Sequence, residues 1–360
     1  MKRQNFPRPA RALLVVIILV GLVAAVGLFS AGVPGSGSQT TAREGLVFIH
    51  HSVGNNWLNS GLHDALLAKD YVGQRNDIYY GVAVAPDAGR PGSLGSPSGD
   101  YTGMSHWILW FNDYLGSVKS HKTPYGFDKI ISRLSDYVGV LKTQGGANGF
   151  NRIIIFKSCY PNSNIGSDGT EPGDPFDSLP TLANYQAVYR HSDGPGHTYT
   201  HNGNTYKPLE DVFAENPDVL FIAITAPPLH YAPVDATNDG NAHRARVFNN
   251  WLQNEWLANY HAAHPGLNNV VVFDLFNVLA YSDDHPSHPN RLKAEYGGES
   301  GDSHPNDAAN AHLTQVFAAG PDNFIDGAWS AFSDSRGGGQ KTTSAGTGPR
   351  APGEYALHRQ

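Results

Sequence analysis

The stretch EGLVFIHHSVGNNW, residues 44–57, decides the fold. It begins with an unbroken apolar run, LVFIH (46–50), and passes through Ser52 into the pattern of a helix. Such a run is typical of a strand that is buried on both faces of a parallel sheet. A serine at the turn from strand to helix exposes its hydroxyl near the helix N-terminus, and serine is also a preferred helix cap. Ser52 is therefore a candidate functional residue, with helix capping as the alternative.

Four similar apolar runs follow along the chain, separated by helical patterns. The runs are IYYGVAV (78–84), RIIIFKS (152–158), DVLFIAIT (218–225) and NVVVFDLF (269–276). The clearest helical patterns cover 58–69, 127–143, 208–215, 243–262 and 307–319, of which the last is the final predicted helix. Strands that alternate with helices predict a doubly wound, mostly parallel α/β sheet with helices on both faces. Because ligands bind at the carboxyl ends of such strands, candidate residues are sought there.

Two later loops carry candidate residues at these ends. The loop SCYPNSNIG (158–166) offers Asn162 and Asn164, whose amides suit a developing oxyanion but also suit a Pro-Asn turn. Farther on, Asp302 and His304 precede the last predicted helix. His304 suits a general base that the Asp302 carboxylate orients. Alternatively, Asp302 caps the helix and His304 is a surface histidine. The tetrapeptide SHPN also occurs at 287–290, so His288 competes with His304. We prefer His304 because the helix follows it directly.

The order of these residues, with the motifs HHS and DSHPN, resembles the SGNH (GDSL-type) hydrolase superfamily over about residues 44–330. The resemblance implies a flavodoxin-like three-layer sandwich with a five-stranded central sheet and no cofactor. It also implies that Ser52 is the nucleophile, His304 the general base and Asp302 its orienter. The oxyanion donors implied are the Ser52 backbone N–H, Gly89 and Asn162.

The sequence departs from the family pattern at three places. His50-His51 stands where the family has Gly-Asp before its serine, and Asp302-Ser303-His304 is shorter than the usual Asp-x-x-His. The Gly-x-Asn-Asp block is not legible either, so Asn164 stands behind Asn162 as a second candidate. Gly81 is the alternative to Gly89, which we prefer because it lies past the predicted strand. These departures concern the oxyanion donors more than the serine and the histidine.

The function that follows is a serine esterase outside the cytoplasm that hydrolyses O-acyl esters, with acetyl groups on a glycan as the first choice. Its partner is an acylated small-molecule or carbohydrate substrate. Trp57 and Trp107 are the predicted substrate-binding residues, because they follow the first two strands and aromatic rings stack on sugar faces. Ordinary core packing is the alternative for both rings.

An acyltransferase that uses the same Ser-His-Asp set stays open, because a sugar hydroxyl can resolve an acyl-enzyme in place of water in a dry site. Two other function classes stay open as well. The first is a metal-dependent hydrolase that uses the histidines and the carboxylate of His50, His51, Asp302 and His304. Adjacent strand residues point to opposite faces, which disfavours both histidines binding one ion, and we predict no metal. The second is a non-catalytic module that binds glycan in the same cleft. The single cysteine, Cys159, excludes an intramolecular disulfide, a zinc ribbon and an iron–sulfur cluster.

The N-terminal region predicts export. Residues 12–33 are 22 uncharged, mostly apolar residues that follow a basic flank, 1–11. At ~1.5 Å per residue, a helix of this length spans the ~30 Å hydrocarbon core of a bilayer. The basic flank is retained in the cytoplasm, so we expect a transmembrane signal-anchor with the rest of the chain outside. Cleavage after Gly32, which would make the protein secreted, is the alternative.

The remaining chain divides into a linker (34–43), one hydrolase domain (44–335) and a disordered tail (336–360). The chain has 25 Lys and Arg against 32 Asp and Glu, a net charge of −7. Within 44–335 the counts are 16 and 31, which gives −15. A body this acidic is a poor partner for nucleic acid or for an anionic membrane surface, so we expect contact with the membrane through the N-terminal helix only.

Overall fold

The structure, a computed structural model, describes residues 45–73, 75–79, 102–121, 150–231 and 236–336. Several of the predicted features lie outside these residues: 1–11, 12–33, 34–43, the helix at 127–143, Gly89, and the tail from 337 onward. Among the helices that the structure does describe, none is long and apolar enough to cross a membrane.

The centre of the fold is a parallel sheet of five strands. The strands of the described residues are β1 Leu46–His50, β2 Asp77–Tyr79, β3 Ile153–Lys157, β4 Tyr199–His201, β5 Asn204–Tyr206, β6 Leu220–Ile224 and β7 Val270–Phe273. The five-stranded sheet has the order β2-β1-β3-β6-β7, and β4 and β5 pair as a separate antiparallel hairpin. This order is that of flavodoxin-like doubly wound folds, so the predicted fold class is confirmed.

Helices cover the sheet along the chain. Their bounds are α1 Ser52–Trp57, α2 His63–Ala68, α3 Trp107–Asp113, α4 Leu115–Ser120, α5 Leu182–Tyr189, α6 Leu209–Ala214, α7 Ala236–Trp251, α8 Leu257–Ala263, α9 Leu275–Leu279, α10 Asp307–Thr314 and α11 Phe324–Arg336. The segment Leu58–Leu62 joins α1 to α2 and is kinked at Ser60 and at Gly61, whose φ is +118°. Turns of π-helix join α7 to α8 (Leu252–Trp256) and extend α10 (Gln315–Ala319).

The sheet separates two hydrophobic cores, because successive strand residues point to opposite faces. In β1, Leu46 and Phe48 pack in the core that contains residues of α1, α2 and α10, whereas Val47 and Ile49 pack in the core of α3, α5 and α7. All four side chains are at most 2% exposed. Burial on both faces is the physical reason why this strand reads as an unbroken apolar run.

Two predicted elements need correction. The run 269–276 is a strand only to Phe273, because the Asp274 side chain accepts the backbone N–H of Asn277 at 3.1 Å and starts α9. The helix at 307–319 is not the last one, since α11 follows it. Ile325 and Phe332 of α11 are buried in the same core as α10, so this helix completes the layer on that face.

Candidate active site

Ser52, His304 and Asp302 are joined by hydrogen bonds at the carboxyl end of β1. Ser52 Oγ lies 2.7 Å from His304 Nε2. His304 Nδ1 lies 2.7 Å from Asp302 Oδ1, which also accepts the backbone N–H of His304 at 3.1 Å. The His304 side chain is 26% exposed and that of Asp302 is 60% exposed, so the group opens to solvent. The structure thus brings together residues that are 252 positions apart in the chain.

Ser52 is placed by the tight passage from β1 into α1. His51 is the residue before the helix, in extended conformation, and Ser52 is the first helical residue. Gly54 allows this passage, because a Cβ at its position would lie 2.4 Å from His50 Cβ. The first N–H groups of a helix have no partner within the helix, so the Ser52 backbone N–H is at a position suited to an oxyanion.

The segment that carries His304 is held from both sides. On one side, the Ser303 hydroxyl oxygen accepts the backbone N–H of His230 at 3.1 Å and lies 2.9 Å from His230 Nδ1. On the other side, the Asn306 side chain caps α10 by accepting the N–H of Ala309 at 3.0 Å. Burial raises the pKa of Asp302, but hydrogen bonds from His304 and the charges of His304 and His230 outweigh it, so the pKa is lowered. The carboxylate form, which orients His304, is therefore favoured.

The two predicted substrate-binding tryptophans are buried, which corrects that prediction. Trp57 is 0% exposed and its indole N–H donates to Thr314 Oγ1 at 3.0 Å, which ties α1 to α10. Trp107 is 1% exposed and donates to Ser158 Oγ at 2.8 Å, at the end of β3. Neither ring presents a face for a sugar, because each is packed among aromatic side chains of the core. Both hold the elements of the site together instead.

Of the predicted oxyanion donors, Asn162 lies in the turn that follows β3, and Gly89 lies outside the described residues. The Asn162 amide oxygen accepts the N–H of Met104 at 2.8 Å, which fixes the orientation of the amide. Its nitrogen donates one N–H to the Cys159 carbonyl oxygen at 3.3 Å. Asn164 is turned elsewhere, since its side-chain oxygen accepts from Asn241 at 2.9 Å.

Three residues that the sequence did not place at the site lie close to Ser52 or His304. His51 Nδ1 lies 2.8 Å from Ser52 Oγ, and Cys159 Sγ lies 3.6 Å from the same oxygen. The half-buried ring of Tyr160 stands edge-on to His304 with the ring centres 5.0 Å apart. The adjacency of His51 and Ser52 in the HHS motif was the only sequence signal for these contacts.

His50 does not belong to this group. Its ring is fully buried, with Nε2 2.6 Å from Asp77 Oδ2 and Nδ1 2.8 Å from the His51 carbonyl oxygen. The four residues proposed for a metal-dependent hydrolase therefore do not converge on one point. Among the described residues, a group with metal-ligand atoms within 4.8 Å of one another lies elsewhere, at His191, Asp193 and His197.

The competing histidine, His288, belongs to an aromatic cluster beside the site. Its ring stacks on Tyr231 with the centres 3.7 Å apart and the planes 5° apart. Tyr281 and His285 stack similarly at 3.9 Å, and the hydroxyls of Tyr231 and Tyr281 are 3.2 Å apart. Tyr231 directly follows His230, which contacts Ser303, so this cluster of half-buried rings adjoins the segment that carries His304.

A cavity of about 510 Å³ lies at the other end of the sheet. Its walls include the ends of α5 and α8, and α8 leads into the amino end of β7, whereas Ser52 follows the carboxyl end of β1. Burial and the charge of Asp211 raise the pKa of Glu210 in this cavity to about 7. The cavity is therefore separate from the site.

The site combines three features of the fold. These are the order of the strands in the sheet, the position of Ser52 just after β1, and the position of the Asp-Ser-His segment just before α10. The arrangement is a flavodoxin-like α/β fold with a Ser-His-Asp group at the carboxyl end of its sheet. No family model matches the chain and no curated protein matches it.

Solved structures similar to the chain include two from Bacteroides. A proposed acylhydrolase from Bacteroides fragilis is 10% identical, with 81% of this chain and 88% of that chain covered and a TM-score of 0.36. A GDSL-like lipase from Bacteroides thetaiotaomicron is 9% identical, with 75% and 83% covered and a TM-score of 0.34.

Proposed function

We propose that the protein is a serine esterase that hydrolyses O-acyl esters. The observation that carries the proposal is the chain of contacts from Ser52 Oγ through His304 to Asp302, at 2.7 Å and 2.7 Å. A nucleophile within hydrogen-bond distance of a base, which a third group orients, is the arrangement that activates a serine. Its position at the carboxyl end of β1 is the usual place for a ligand in this type of sheet.

The reaction has two halves. Ser52 Oγ attacks the ester carbonyl carbon while its proton passes to His304 Nε2, which then protonates the departing alcohol. Water next attacks the acyl-enzyme, gives a proton to His304 and releases the carboxylic acid, and the proton returns to Ser52. The Ser52 backbone N–H and the Asn162 amide are the proposed oxyanion donors, of which one is typically worth ~3 kcal/mol.

We further propose that the ester is carried by a glycan. Among the described residues, the group opens to solvent, with the Asp302 side chain 60% exposed, so a large substrate can approach it. The stacked rings of Tyr231 and His288 lie beside it, and Tyr160 borders His304. Flat apolar faces of this kind pack well against sugar rings. These residues replace Trp57 and Trp107 in the proposal.

The proposed place of action is outside the cytoplasm, with the N-terminal helix retained in the membrane or cleaved. The 22 uncharged residues 12–33 after a basic flank support it. A periplasmic reporter enzyme fused after residue 360 should be active, and a cytoplasmic reporter at the same point inactive. The opposite pattern would place the site in the cytoplasm.

A fluorophosphonate probe tests the proposed mechanism. The purified chain should be labelled at Ser52, and Ser52→Ala and His304→Ala should lose the label, because the probe reacts only with an activated serine. His197→Ala is the control, since this exposed histidine belongs to the group of His191, Asp193 and His197 away from Ser52. His197→Ala should be labelled at the rate of the parent.

Absence of labelling in a folded parent chain would overturn the esterase proposal. Acetylated oligosaccharides that bind both the parent and Ser52→Ala, without turnover, would then favour the non-catalytic glycan-binding module.

A further inference from the structure

Two imidazole rings contact the same serine oxygen. Ser52 Oγ is 2.7 Å from His304 Nε2 and 2.8 Å from His51 Nδ1. A hydroxyl has one proton and two lone pairs, so it donates to one of these nitrogens and accepts from the other. The surroundings of the two rings decide which nitrogen is the donor.

His304 accepts the serine proton. Its Nδ1 faces the Asp302 carboxylate, which only accepts, so Nδ1 carries the proton of the neutral ring. Nε2 then has a lone pair and receives the hydroxyl proton of Ser52. The second contact of Ser52 Oγ must therefore be one in which it accepts, and His51 Nδ1–H is the donor.

The backbone of His51 is held for this task. His50 Nδ1 donates to the His51 carbonyl oxygen at 2.8 Å, and His50 Nε2 donates to Asp77 at 2.6 Å. His51 stands at the capping position of α1, yet its side chain makes no capping hydrogen bond to the helix. A side chain that served only to start the helix would bond to the helix N–H groups rather than to the serine oxygen.

We propose that His51 is a catalytic residue that donates a hydrogen bond to Ser52 Oγ and stabilises the negative charge that develops there. This inference rests on the proposed esterase function. During acylation the Oγ proton moves to His304 while the Oγ–carbon bond forms, so charge builds on Oγ in the transition state. During deacylation the same bond breaks and Oγ leaves with its electron pair, until His304 returns the proton. His51 keeps its own proton throughout both halves.

The role distinguishes this site from one with an aspartate before the serine. A carboxylate at position 51 only accepts hydrogen bonds, and it would repel charge on Oγ. A histidine with Nδ1–H attracts that charge, and a donor fixed before the reaction costs no rearrangement during it.

The test compares the rate of fluorophosphonate labelling of Ser52 in the full-length chain and two variants. His51→Ala removes the donor and should slow labelling about 10- to 100-fold, by comparison with the loss of other fixed donors. His51→Asn places an amide N–H near the position of Nδ1 and should restore most of the rate. The thermal midpoint of each variant shows whether the fold is kept.

A second measurement does not depend on any variant folding. The ¹⁵N shifts of the histidine rings in the resting full-length chain report which nitrogen of His51 carries the proton, and Nδ1–H is expected. An Nε2–H ring with bare Nδ1 would overturn the inference.

Labelling separates this inference from the function on which it rests. A parent chain that is labelled at Ser52, with His51→Ala labelled equally fast, would overturn the role of His51 and leave the esterase standing. A folded parent chain that is not labelled would overturn both.

Discussion

In the proposed reaction, Asp302 acts through the tautomer of His304. Its carboxylate accepts from both the ring and the backbone of His304, and its pKa is lowered by those hydrogen bonds despite some burial. In Asp302→Asn, an amide N–H facing Nδ1 would shift the ring proton to Nε2, where it blocks acceptance from Ser52. We expect hydrolysis of p-nitrophenyl acetate to fall about 10⁴-fold, as for the same change in a serine protease. Glu299→Gln in the same loop is the control and should stay within about twofold. Equal rates for the parent and Asp302→Asn would contradict the role of Asp302.

At the scale of single residues, the order of the candidates along the chain indicated which side chains lie together. The sequence did not indicate which side chains are buried. Ser52, Asp302 and His304 were predicted from their places after β1 and before α10, and the structure brings them within hydrogen-bond distance. Trp57 and Trp107 were placed by the same reasoning, but which face of a helix packs inward depends on its neighbours. From the sequence, His51 was considered only as a metal ligand. The sequence shows that His51 adjoins Ser52, but it does not show where the His51 ring points.

Among the elements, the buried strands were the easiest to predict. The run 46–50 is β1 residue for residue, because both faces of the strand are packed and no polar position interrupts it. The strand at 269–276 was predicted too long, since the apolar residues of α9 continue the pattern and only the Asp274 cap separates them. Helices α3 and α4 were missed because they have only seven and six residues, and because the α3 sequence is mostly apolar and lacks a clear amphipathic period.

The junction of β1 and α1 depends on a glycine. A Cβ at Gly54 would overlap His50 Cβ at 2.4 Å, so Gly54→Ala must move the helix or the strand that carries the site. Overpacking of this kind costs about 1–3 kcal/mol, and the shift should also slow labelling of Ser52. Urea unfolding and labelling rates measure the two effects.

The matched control is Gly116→Ala in α4, where the described residues leave open space around the added methyl group. It should leave labelling unchanged and should be neutral or more stable by up to about 1 kcal/mol, because glycine disfavours helix. A Gly54→Ala variant that resembles this control would mean that β1 and α1 are packed less closely than the structure shows.

At the scale of the whole molecule, a buried charge network links the edge of the sheet to the site and sets the response to acid. Asp77 on the edge strand β2 accepts from His50 of β1 and from Arg75 Nε at 2.8 Å, and Arg75 Nη2 donates to Asn55 of α1 at 2.7 Å. Burial raises the pKa of Asp77, but the hydrogen bonds and charges of His50 and Arg75 outweigh it and lower the pKa to about 2.

A carboxyl whose pKa is lower in the folded than in the unfolded chain stabilises the fold above its unfolded value of about 4. That stabilisation is lost as the pH falls from about 4 through 2, and a difference of nearly two pH units corresponds to about 2 kcal/mol. We therefore expect the free energy of unfolding of the parent to fall by about 2 kcal/mol more over this range than that of Asp77→Asn. The variant should already be the less stable at pH 6, because it leaves His50 and Arg75 without their carboxylate.

Urea unfolding at a series of pH values measures both curves. Asp64→Asn is the control, since the Asp64 side chain is 87% exposed, and its curve should parallel that of the parent. Parallel curves for the parent and Asp77→Asn would mean that Asp77 does not control the loss of stability at low pH.

Because His50 also holds the His51 carbonyl oxygen, acid that protonates Asp77 should loosen the Ser52 turn before the sheet unfolds. Labelling of Ser52, followed on return to neutral pH, should accordingly recover at once from a brief exposure to pH 2 that does not unfold the chain.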